Sequence, residues 1–212
     1  KKLQKTVEVA VKGLDNVIDL NFYPTDEARE SNLKNRPVGL GVMGTHDVLH
    51  KLGIDYDSQE AVSLCDRVQE FISLHAIKTS AMIAKEKGTY PTFGGSEWDK
   101  GNFPIDTYCE MKNQRVKTPC VLEDYTLYET LDEWKSVRDL VSEYGMRNSN
   151  VMAIAPTATI SYIQGCSQSI EPDYSVLYVY STLSGEFTMV NEHFVKLAKK
   201  NGLWSQALVD AL

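Results

Sequence analysis

A helix-rich α/β fold is predicted by three observations. Long stretches carry apolar residues at helical spacing between recognisable caps; a short apolar run at 151–155 is cut off by Pro156; and two later runs alternate, with β-branched and aromatic residues. Leu3, Val7, Ala10, Leu14, Val17 and Ile18 recur at spacings of three and four, which predicts a first helix with one apolar stripe. A polar loop edged by Pro24 and Pro37 follows. The longest helix is predicted over 57–87: Asp57 with Glu60 forms a capping pattern, Gly88 is a stop, and Lys85 and Lys87 suit the negative end of the helix dipole. Its stripe is Ala61, Cys65, Val68, Ile72 and Ala76.

Residues 89–128, rich in Gly, Pro, Tyr and charge, are expected to form a surface excursion. Thr130 paired with Glu133 then reads as a capping box, opening a helix through Trp134, Val137, Leu140, Val141 and Tyr144 to Gly145. The run 151–155 has the length and character of a buried strand. Beyond Pro172, the runs 174–181 and 185–190 flank Ser184-Gly185 and predict a hairpin, followed by a helix over 191–200 ending near Gly202. There is no internal repeat and no low-complexity segment.

Composition narrows the function. The 212 residues are 42% hydrophobic and 24% charged, which suits a globular chain with a sizeable core. With 22 basic and 29 acidic residues the net charge is −7, so the chain as a whole repels a nucleic-acid backbone and none is expected as a partner. No apolar run approaches the roughly 20 residues needed to cross a bilayer, and Lys1-Lys2-Leu3-Gln4-Lys5 does not lead into a signal-peptide core, so a cytoplasmic location without membrane attachment is expected. Leu3 already lies in a helical pattern, which reads as a chain that begins inside a domain. Cys65, Cys109, Cys120 and Cys166 make no metal spacing and are expected to be free thiols, with Cys65 on an apolar helical face.

The chemically richest stretch is 149–172. Pro156 halts the strand and is tolerated at the first position of a helix. Thr157, Thr159 and Ser161 then place three hydroxyls beside the unpaired N–H groups of a helix start, in the positive field of its dipole. Ser and Thr are also ordinary caps that bind only their own backbone, but strand, turn and hydroxyl-rich helix start together suit a phosphate. Pro156, Thr157, Ala158, Thr159, Ile160 and Ser161 are therefore the candidate anion cradle.

Other motifs carry less. Gly39-x-Gly41-x-x-Gly44 spells a dinucleotide fingerprint, with Asp55, Asp57 and Glu60 roughly where a ribose ligand would fall. Only Arg36, Pro37 and Val38 precede it, and Pro37 is unwelcome in a central strand, so the glycines are read as allowing close approach of chain segments. A nicotinamide-dependent oxidoreductase is kept as an unfavoured alternative. His46 and His50, four apart, could share a helix face as metal pairs do, but the Glu of the zinc-protease motif is absent and no metal site is assigned. His75 and His193 have no evident partner. Tyr178 and Tyr180 fall on one face of a strand and read as packing.

Pro156-Thr157-Ala158-Thr159-Ile160-Ser161 followed by Ser169-Ile170-Glu171-Pro172 resembles the substrate-phosphate strand and helix of the ribonucleotide reductase large subunit. Gly145-Met146-Arg147-Asn148-Ser149, Arg36-Pro37-Val38-Gly39-Leu40-Gly41-Val42 and Pro104-Ile105-Asp106-Thr107-Tyr108 match the same family in the same order, so the resemblance covers about residues 3–200. It implies part of a ten-stranded α/β barrel, with 1–212 as an incomplete, C-terminal portion of that catalytic domain. It also implies a ribonucleotide as substrate, reduced at C2′ after a cysteine radical takes the 3′ hydrogen, with a dithiol as electron donor. The catalytic cysteines of the family, its adjacent radical-relay tyrosines and its allosteric loops have no match here, so no residue of this chain is assigned a catalytic role. The resemblance further implies the remaining part of the large subunit and a radical-generating small subunit as partners, a homodimer in the full protein, and no cofactor bound by this segment, the radical source lying on a separate subunit or cofactor. A structural half of a split reductase, without activity of its own, is the alternative.

Overall fold

The computed structural model describes residues 1–107, 131–183 and 185–212. They form two compact units: Lys1–Leu40 with Asp66–Ala153, and Gly41–Cys65 with Ile154–Leu212. The chain is helix-rich α/β, as expected.

In the first unit, α1 (Lys2–Leu20) buries Val7, Val11, Asp15 and Ile18. The stripe is thus rotated from the predicted one: Leu3 and Val17 are exposed, and an aspartate lies in the seam. The supposed polar loop holds a second helix, α2 (Asp26–Asn35), which buries nothing and so has no apolar period to betray it. Its signals are terminal: Thr25 accepts the Ala28 N–H at 3.2 Å, and Asp26 and Glu27 occupy its first turn. The left-handed Arg36 (φ 45°) ends it.

The helix α4 (Gln59–Lys87) matches the long prediction, having neither Gly nor Pro in its interior. Its cap is Ser58, whose Oγ accepts the Ala61 N–H at 3.1 Å, instead of Asp57. Gly88 ends it at φ 82°. The portion from Asp66 onward belongs to the first unit and packs Ile72, Leu74, Ala76, Ile77 and Ala81 into the core. Trp134, Val137 and Val141 of α5 (Leu131–Tyr144) complete that core, as their spacing predicted, and the Trp134 Nε1–H donates to Glu70 at 2.9 Å. Thr130, the proposed cap, lies outside the described residues, as does 108–128 of the expected excursion. The rest of that excursion has no regular structure beyond a single helical turn at 104–107, yet Tyr90 and Phe103 are buried within the core.

The predicted strand at 151–155 is reduced to one parallel bridge, Leu40 with Met152. Three hydrogen bonds make it: the N–H groups of Val38, Leu40 and Ala153 donate to Asn150, Val151 and Leu40 at 3.0, 3.0 and 3.1 Å. Pro37 has no N–H to extend the ladder backward. Val151 is buried but 153–155 are exposed, so the expectation of a buried strand holds only at its first residue. Gly39 lies in this pairing, and a Cβ there would sit 3.0 Å from the Ala153 Cβ. Among the described residues the parallel pairing of a barrel goes no further than this bridge.

The second unit contains α3 (Thr45–Leu52), opened by the left-handed Gly44 (φ 79°), and the start of α4. It continues with α6 (Ala158–Gln164) and the antiparallel hairpin β1 (Leu177–Thr182) and β2 (Gly185–Val190), in the predicted register region. Ser184 of the predicted turn lies outside the described residues. The helix α7 (Glu192–Lys200) is capped by Asn191, which accepts the Phe194 N–H at 2.9 Å, and α8 (Gln206–Ala211), not predicted, is capped by Ser205. Among the described residues, the buried apolar side chains of this unit are Leu49, Ala61 and Ala198. Ser161, Ser167 and Ser169 are buried with them.

Candidate functional site

The candidate cradle lies in the second unit. Its helix begins at Ala158, two residues after Pro156, so the proline precedes the helix instead of opening it. Thr157 occupies the cap position with φ 54° and ψ 26°, a left-handed conformation that costs a β-branched residue roughly 1–2 kcal/mol. From there its side chain does not reach its own helix. Thr157 Oγ1 instead accepts the backbone N–H of Ser169 at 2.8 Å, tying the two sequence motifs of 156–161 and 169–172 together. Ser169 is itself left-handed, at φ 46°.

The amides of Ala158, Thr159 and Ile160 are left without an acceptor among the described residues, as the first N–H groups of a helix are. All three residues are exposed. The three hydroxyls divide. Thr159 is exposed, Thr157 accepts from Ser169 while its own O–H stays free to donate, and Ser161 is fully buried with its O–H directed to Ala158 O at 3.4 Å. Two hydroxyls and three amides can thus present hydrogen to an anion; Ser161 supports the helix from inside.

Sequence reading missed what holds the cradle. The Tyr56 O–H donates to Ile170 O at 2.9 Å, and Asp47 accepts the Ser167 N–H at 2.8 Å, so both ends of 167–170 are pinned to residues near α3. Gly44 approaches Cys166 so closely that a Cβ there would lie 3.2 Å from the Cys166 Cβ. Burial, and then Asp47, push the Cys166 thiol above its ordinary range, so at neutral pH it is a protonated, weakly nucleophilic group. Tyr178 is pushed up to about 12, chiefly by burial and then by its hydrogen bond with Tyr162 of α6. It is a packing residue, as predicted, with a hydroxyl partner that alternation alone does not reveal.

The histidines converge more than their spacing implied. His46 and His50 stand on α3 with ring centroids 4.1 Å apart, and His193 stacks on His50 at 5.3 Å. His46 Nδ1 accepts the Asp173 N–H at 3.0 Å. Burial first, and then His46 and His193, hold the His50 pKa below the usual imidazole range. The nucleotide-fingerprint reading gains nothing, since Ala153 takes the space beside Gly39 that a pyrophosphate would need.

In the first unit, two further motifs meet in a buried polar cluster. Arg36 Nε and Nη2 donate to Asp15 Oδ1 at 3.0 and 2.9 Å, and Arg36 Nη1 and Nη2 donate to Asp19 at 2.7 and 2.9 Å. Asn148 donates to Asp15 Oδ1 and to Arg36 O, and its own Oδ1 and N–H are held by the Ser80 hydroxyl. Arg147 Nε lies 3.5 Å from Asp15 Oδ2. These residues tie α1, the end of α2 and α4 to the segment at 147–148.

Polar bonds thus join short motifs on a helix-rich α/β frame, and the comparison with known families assigns that frame to a class. The family model for the ribonucleotide reductase barrel domain matches residues 1–212, and the chain belongs to that family. It is 51% identical over 211 residues to a protein of Chlamydia pneumoniae named ribonucleoside-diphosphate reductase subunit alpha, covering 100% of this chain and 20% of that one. It is 44% identical over 188 residues to the subunit of the same name in Helicobacter pylori (89% and 23%) and 35% identical over 211 residues to the large subunit of Arabidopsis thaliana (100% and 24%). The chain therefore spans between a fifth and a quarter of the length of these relatives.

Proposed function

We propose that this chain is part of a ribonucleotide reductase large subunit and supplies the cradle for the terminal phosphates of a ribonucleotide. The observation that carries the reading is the row of unengaged amides at 158–160, within a chain that matches the family along its whole length. In this reading the N–H groups of Ala158, Thr159 and Ile160, at the positive end of α6, would donate to the phosphates, and the hydroxyls of Thr157 and Thr159 would add two donors. Pro156 and Ser161 frame this row from outside and inside.

The cradle acts on the reaction by position. Fixing the phosphates fixes the sugar against residues that perform the reduction, and a loosely held sugar forfeits the orientation that brings C3′ and C2′ to them. Those residues, the radical source, the small subunit and a second copy of the large subunit lie beyond 1–212 in this reading, and the ten-stranded barrel is completed there. The relatives' names favour a ribonucleoside diphosphate as substrate. Replacing Ala158 by Asp sets a carboxylate beside the amides and is expected to weaken ribonucleoside diphosphate binding about tenfold or more, or 1.4 kcal/mol for each tenfold step. An equilibrium titration of the protein that carries this chain tests it; unchanged affinity refutes the placement.

A further inference from the structure

Helix α3 sets His46 and His50 one turn apart on the same face, the spacing at which two imidazoles can share an ion. Asp173, 127 residues further along, brings its Oδ2 to 3.6 Å from His46 Nδ1. One ligand atom from each of the three lies within 4.8 Å of the other two. We propose that His46, His50 and Asp173 form a binding site for one divalent transition-metal ion of the zinc class, with a fourth position open to water or to His193.

The donor set is the first reason. Two imidazoles and a carboxylate suit zinc and its neighbours and suit calcium or magnesium poorly. With metal–ligand distances near 2.1 Å, tetrahedral ligand atoms stand about 3.4 Å apart, close to the His46–Asp173 separation; the widest pair must close by about 1.4 Å, which rotation of a histidine ring accomplishes. The second reason is an unmet valence. His50 Nε2 is buried and has no hydrogen-bond partner among the described residues, a condition that costs free energy and that a metal bond relieves.

The third reason is the surrounding shell. Asn191 Nδ2 donates to Asp173 Oδ2 at 2.6 Å, orienting the carboxylate as the outer partners of metal ligands do. His193 is stacked on His50, and its Nε2 lies 3.5 Å from Asp47 Oδ1, so a third imidazole and a second carboxylate border the site. At His46 the ion takes over the Nδ1 lone pair that now accepts the Asp173 N–H, exchanging one hydrogen bond for one coordinate bond. An ion here would tie the segment after Ser169 to α3, independently of whether a phosphate binds at 158–160.

The test uses the protein that carries this chain, stripped with a chelator and titrated with Zn²⁺ in competition with a chromophoric chelator. The native protein is expected to bind one equivalent that His50→Gln and Asp173→Asn each weaken about tenfold or more, and zinc is expected to raise the melting temperature of the native protein but not of the variants. If His50→Gln does not fold, Asp173→Asn, which keeps the backbone N–H on His46, carries the test alone. Equal zinc stoichiometry and affinity in native and variant proteins overturns the proposal.

Discussion

The two units reach order by different means. The first has an apolar core around Trp134, Phe103, Ile77 and Val11, with the polar cluster of Asp15, Arg36 and Asn148 buried inside it. Among its described residues the second buries Leu49, Ala61 and Ala198 and leaves Ile163, Leu183, Tyr174, Phe187 and Leu197 exposed, while its buried side chains include three serines. Burial of apolar area is the main favourable term in folding, so the first unit is stabilised by its own core. The second is fixed largely by directed bonds such as Thr157 to Ser169 and Asp47 to Ser167. The unit that holds the candidate cradle is thus the one with the least apolar support, which fits the general placement of binding segments at the low-stability end of a structure.

The largest expected effect lies in the first unit. Replacing Asp15 by Ala leaves the Arg36 guanidinium, whose side chain is 4% exposed, with Asp19 as its carboxylate partner and takes the Asp15 acceptor from Asn148, and should destabilise by about 3 kcal/mol in urea unfolding. Trp134→Ala should cost a similar amount, about 3–5 kcal/mol, through the cavity it leaves. If either were nearly neutral, the contrast between the units would be broken.

Thr157→Val should have a smaller, local effect. It orphans the buried Ser169 N–H at about 1–3 kcal/mol, and hydrogen exchange should quicken across 165–173 while the peptides of α5 are unaffected. Thr157→Gly would sharpen the result, since glycine accepts the left-handed backbone without strain but cannot receive the Ser169 amide. Exchange as slow as in the native protein in both variants would remove that bond from the account of how the cradle is held.

Polar replacement of Leu183 should change stability by no more than about 0.5 kcal/mol, as expected of an exposed residue outside any core. The smallest effect is acidic. Its hydrogen bond to Arg36 holds the Asp19 carboxyl below the usual range, so its contribution to stability is present above the pKa of the unfolded chain and is lost as pH falls through the lower, folded value. Asp19→Asn should flatten the acid limb of the stability profile by lowering stability at neutral pH, with least change below the folded pKa, as urea unfolding across pH would show.

What was legible in the sequence follows the same division. Helices that bury an apolar stripe, α4 and α5, were readable from spacing. The α1 stripe was misjudged because Asp15 sits in it, and a buried aspartate is intelligible only once Arg36 arrives from 21 residues away. The α2 helix, all polar, left only its caps as a sign. At the cradle, the hydroxyls and the helix start were visible, but not that Thr157 turns away from its own helix to hold Ser169. Nor does any local rule bring Asp173 to His46: that proximity is created by the path of the chain between them.

The most direct measurement is hydrogen exchange of the protein that carries this chain, with and without a saturating ribonucleoside diphosphate. The cradle predicts slowed exchange at the amides of 158–160, with the peptides of α5 unchanged. Saturable nucleotide binding that leaves 158–160 exchanging at its free rate would contradict it.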